Sequence, residues 1–146
     1  MNSRTLFKTD WILLALKAAP LDRIRLMKTL FLVWQASERD IPGYFDFEPY
    51  LYGPCSFEVY DALRELSWQR LVVQPPYPVQ KWAPYYLTEL GREKANQIAR
   101  EADQETVILV EKKAREAHDA DFLTLLKNVY ILAPDFAVNS VVRTAL

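Results

Sequence analysis

Between residues 71 and 87 the chain changes its repeat. On either side, apolar residues recur at three- and four-residue spacing, as one buried helix face requires. Inside, Leu71-Val72-Val73 and the run from Trp82 to Leu87 read as strands, joined by a bend that holds Pro75, Pro76 and Pro78. Proline has no N–H to give a ladder, so these three suit a stiff loop and not a sheet interior. Helices before and after one short hairpin predict a mainly α chain with a small β-hairpin.

The helices can be placed. Thr9 or Asp10 is positioned to cap a first helix that runs from Trp11 to about Ala18, with Pro20 after its end. A second runs from Leu21 to about Gln35, with Ile24, Met27, Leu30, Phe31 and Trp34 as its core face. Phe45, Phe47 and Tyr50 read as a short extended stretch that Tyr52-Gly53-Pro54 breaks. Ser56 is a good cap for a third helix, Phe57 to Gln69, with Glu58 at its positive end. Thr88 caps a fourth, through about Arg100, and two more fit 104–117 and 121–132. A last short helix begins near Asp135. Three helices, a hairpin and then a helix is the order of a winged helix, a helix-turn-helix variant. The predicted fold is a winged-helix-like domain with added C-terminal helices. It forms a single domain over 1–146, with a core at 8–100 and a helical extension at 104–146.

Three stretches resemble the Panacea-domain (SocA-like antitoxin) family and the related YwgA-like proteins. Ile24 to Leu32 is similar to the family's "lqKllYl" helix. Phe45 to Tyr60 resembles its "F-x-F-x-x-Y-x-Y-G-P-x-S-x-x-V-Y" core, through Tyr52, Gly53, Pro54 and Ser56. Asn128-Val129-Tyr130, Pro134 and Ser140 are similar to its tail. Tyr86 to Glu93 also resembles a "Y-x-L-T-x-x-G-r-e" signature widespread in winged-helix regulators. Cys55 departs from the pattern, where an aromatic is expected, and the tail is short. The resemblance implies a winged-helix-like regulator linked with toxin neutralisation or adaptor roles, in mobile-element or phage-defence settings.

The third helix separates the possible partners. At 100° per residue, Val59, Ala62, Leu63 and Leu66 share the core face, and Phe57, Asp61, Arg64 and Trp68 share the opposite one. A helix that reads bases presents Arg, Lys, Asn, Gln, Ser or Thr. This face offers two aromatics and one arginine among acids, the composition of a protein-interface anchor. It equally suits packing against the C-terminal helices or the Phe45–Tyr52 excursion. A protein partner is the leading expectation. DNA is the alternative, and it draws on a basic amino-terminal quarter: residues 1–35 hold six basic and two acidic side chains. In that docking Arg25 and Lys28, placed on the solvent side of the second helix, Arg23 at its start, and Lys81 and Trp82 at the wing meet the phosphate backbone.

Other chemistry finds little to stand on. The net charge is −1 and 51% of residues are apolar, which excludes an intrinsically disordered chain and bulk coating of nucleic acid. The single cysteine, Cys55, reads as a small buried apolar residue, and the single histidine, His118, as an exposed helix-end residue. With three glycines there is no phosphate cradle, and no spacing suggests a metal site. Neither a catalytic residue, nor a metal, nor a cofactor is expected. With no leader and no membrane-length apolar run, a cytoplasmic chain is the expectation. Two apolar stripes follow the wing: Val107, Val110, Ala114 and Ala117, then Phe122, Leu125, Leu126 and Val129. They allow either a homodimer or packing back onto the first two helices.

Overall fold

The helix α1, Lys8–Ala18, is apolar nearly all round, and every residue from Asp10 to Leu16 is buried. A helix without a polar face belongs at the centre of a fold. Around it pack α2 (Arg23–Ala36), α3 (Phe57–Trp68), α4 (Glu89–Glu101) and α5 (Gln104–Asp119). The last helix, α6 (Phe122–Leu132), lies on α2, and a 3-10 turn at Pro134–Ala137 follows it. The computed structural model of the chain describes residues 3–75 and 83–141. Over those residues the architecture is mainly helical, with two small antiparallel strand pairs.

The helix starts follow local chemistry, with two corrections. Asp22, Thr88, Asp103 and Asp121 each accept an N–H two or three residues into the helix they begin. By contrast, α1 starts at Lys8, and Asp10 lies in its first turn, accepting from the Phe7 N–H at 2.9 Å. Ser56 stands at the start of α3, but its hydroxyl accepts no helix N–H. Its backbone N–H donates to Met27 Sδ at 3.3 Å, which ties the start of α3 to α2.

The expected hairpin is present. After α3, Arg70 turns left-handed (φ 60°) and the Leu71 N–H donates to the Leu66 carbonyl. There β3 (Val72–Val73) pairs antiparallel with β4 (Tyr86–Leu87), Val72 opposite Leu87. Tyr85 adds a bridge to Leu21, in the α1–α2 connection. Most of the proline bend, with Lys81 and Trp82, lies outside the described residues.

Two elements differ from expectation. The stretch around Tyr50 is not simply broken by Tyr52-Gly53-Pro54. It folds back as a second hairpin, β1 (Glu48–Tyr50) with β2 (Gly53–Cys55), joined by Leu51-Tyr52. The chain after the 3-10 turn holds it: Asn139 Nδ2 donates to the Pro49 carbonyl and the Val141 N–H to that of Leu51. Nor are the helices after the β3–β4 hairpin an added layer. Val110, Ala114 and Ala117 are buried against α1 and α2, within one continuous hydrophobic cluster. Alanines on that stripe let the helices approach closely, which accounts for it within a single chain.

Candidate functional site

The outer face of α3 is open. Trp68 is 86% exposed and Phe57 52% exposed. Asp61 and Arg64, between them, are exposed and paired with each other. Phe57 is the better supported of the two aromatics. Its ring meets those of Tyr50 and Tyr60 edge-on or tilted, at 5.7 and 6.2 Å between centroids. The base of the face is fixed by Glu58, which accepts from Lys8 Nζ at 2.6 Å and from the Asp46 N–H at 2.8 Å. Tyr50 and Leu51, at the tip of the β1–β2 hairpin, are also exposed. The four residues thus form one solvent-facing strip with an apolar residue at each end.

Arg25 is half-buried and Lys28 buried, which corrects their sequence-based placement on a solvent face. Arg25 pairs with Asp22 at 2.7 Å and donates to the Ala117 and Ala120 carbonyls at 3.0 Å each. Those carbonyls end α5, where intrahelical donors have run out. Arg25 is therefore a cap supplied from another helix, with three of its five donors already engaged inside the fold. Lys28 is 2% exposed. Periodicity assigned it to solvent because it lies off the core stripe of α2, but the β1–β2 hairpin and α6 cover that side too. Arg23 is half-buried, and its charge acts on the Tyr60 and Tyr85 hydroxyls.

The Tyr52-Gly53-Pro54-Ser56 motif seats the hairpin on these helices. Gly53 has φ +89°, and a Cβ there would lie 2.9 Å from Leu126 Cδ1 and 3.3 Å from Lys28 Cε. Both the backbone angle and the space require glycine. The Tyr52 ring meets that of Phe122 at 5.8 Å. The Pro54 carbonyl accepts from Lys28 Nζ at 3.2 Å. The Ser56 hydroxyl is buried with no hydrogen-bond partner among the described residues.

Lys28, Cys55 and Tyr60 line one cavity of about 200 Å³ beneath the hairpin. Burial pulls the Lys28 ammonium down to about 7, against the charges of Cys55 and Asp22. Burial also pushes the Cys55 thiol up, opposed by Lys28 and by a hydrogen bond with the Tyr60 hydroxyl. Sequence reasoning passed over this cluster. Its one local signal is that Lys28 is the only charge between Leu26 and Trp34. His118 is exposed at the end of α5, 2.9 Å from Asp119. Among the described residues no three His, Cys, Asp or Glu side chains are grouped to hold a metal ion, and no helix is long and apolar enough to cross a membrane. No family model, curated protein or solved structure matches this chain.

Proposed function

We propose that the chain is a non-enzymatic, winged-helix-like regulatory module that acts by holding a protein partner, as an antitoxin-like or adaptor-like domain. The observation that carries this reading is the open strip of Phe57, Asp61, Arg64 and Trp68. A tryptophan left 86% exposed on a rigid helix forfeits most of its burial energy unless a partner covers it. Tryptophan and arginine are also the side chains that concentrate binding energy at protein interfaces. Three helices followed by the β3–β4 hairpin, with β1–β2 inserted between α2 and α3 and Leu21 bridged to Tyr85, support the winged-helix part. The Panacea-like residues support the regulatory part.

The DNA-directed alternative is the weaker reading on charge. Arg25 is largely committed to α5 and Asp22, and Lys28 is enclosed, so two of its three described cations offer little charge to a phosphate backbone.

The test compares tagged wild-type chain with Trp68→Glu in nuclease-treated extracts of the native host. The expected result is a stoichiometric protein that the wild type retains and the variant loses, while both melt at the same temperature. A discrete DNA fragment released at moderate salt, with no protein dependent on Trp68, would overturn the proposal in favour of a transcriptional regulator.

A further inference from the structure

The cavity under the β1–β2 hairpin has an unusual charge balance. Lys28 and Arg23 line it, and among the described residues no carboxylate does so. The carboxylate whose charge acts on Lys28 is that of Asp22, which is already engaged by Arg25. An ammonium has three donors. Among the described residues the Pro54 carbonyl is the one acceptor within hydrogen-bonding distance. An enclosed cation with spare donors and no counter-ion is a costly arrangement, and an anion brought into contact with it relieves that cost. The remaining wall is largely apolar, with Ile24, Met27 and Leu51 in it. A cavity of about 150 Å³ admits benzene, so this one has room for a ring or branched chain bearing a small charged group.

We propose that this cavity binds a small organic carboxylate, whose oxygens accept from the Lys28 ammonium with Arg23 as a second cation, and whose apolar body lies against Ile24, Met27 and Leu51. This site takes none of the four strip residues, though Tyr50 and Tyr60, which support Phe57, also line it, and it is tested without any partner.

Sodium benzoate is the probe, titrated into the ¹⁵N-labelled full chain in slightly acidic buffer and followed by amide chemical shifts. Benzyl alcohol and inorganic phosphate are run in parallel. The expected result is saturable movement at Lys28, Gly53, Cys55 and Tyr60 with benzoate, and none at equal concentration with benzyl alcohol. Lys28→Met weakens benzoate by about tenfold or more, the worth of a charged hydrogen bond. An equal response to benzyl alcohol, phosphate binding as well as benzoate, no saturable movement, or an unchanged affinity in Lys28→Met overturns the proposal. If Lys28→Met does not give a folded spectrum, Arg23→Gln decides. A several-fold loss of benzoate affinity is expected, and an unchanged one rejects the site.

Discussion

Lys28 sits where a lysine costs stability, and the cost has a pH signature. Its amine titrates at an ordinary 10.5 in an open chain and at about 7 in the fold. Between those values the unfolded chain holds a proton that the folded chain has released, so stability rises with pH. Below about 7 both states carry the proton, and the whole penalty of burying it stands. Cys55 acts in the opposite sense above its ordinary 9.0, because burial raises it and the unfolded chain then loses its proton first. The clear window is therefore about pH 7 to 9, with a slope of up to about 1.4 kcal/mol per pH unit. Urea unfolding at intervals across that window should show the rise in wild type and its loss in Lys28→Met. A wild-type profile as flat as the variant's would mean that water reaches the amine. Lys28 also shows what was locally legible: its isolation in an apolar run marks it as unusual, but nothing nearby in the chain says that residues 53–55 will cover it.

At the level of elements, the junction between hairpin and α4 is the tightest joint in the fold. Thr88 caps α4 through the Gly91 N–H at 3.0 Å, and its hydroxyl donates to the Arg70 carbonyl at 2.6 Å. The Thr88 N–H donates to the Leu71 carbonyl at 3.1 Å. A Cβ on Gly91 would lie 1.9 Å from that same Leu71 oxygen, which is backbone and has nowhere to go. Gly91→Ala is expected to cost about 2–3 kcal/mol or more, measured by chemical denaturation. Gly43→Asn is the control, since space around Gly43 is open and asparagine tolerates its left-handed φ of 72°. It should cost about 1 kcal/mol, the low end for a left-handed residue other than glycine. The Thr88 cap was readable from residue type and position, because capping is a contact over three residues. The Ser56 cap was equally plausible by that rule, yet its hydroxyl makes no cap bond, and its backbone N–H is engaged by Met27, 29 residues earlier.

For the whole molecule, α5 decides what counts as core. It lies against both α1 and α2, and Arg25 reaches across 92 and 95 residues to close its last turn. A chain ended after Ala102 would expose the apolar surfaces that Val110, Ala114 and Ala117 cover. Such a chain is expected to show no cooperative thermal transition by circular dichroism, while the full chain shows one. A sharp transition in the shortened chain would restore the division into a core at 8–100 and an appended layer.

By itself the sequence determined the kinds of element, their order and the outer face of α3. Each of these is a local quantity, read from apolar spacing, turn residues and caps. Phe57, Asp61, Arg64 and Trp68 face solvent because only one side of α3 is covered, the condition under which helical period reports burial directly. The tertiary structure decided where Arg25 and Lys28 point, that residues 48–55 close into a hairpin, and that α5 belongs to the core. Those outcomes depend on α2 being covered on more than one side. Once a helix has two buried faces, its apolar period no longer separates inside from outside, and partners far along the chain assign each remaining side chain.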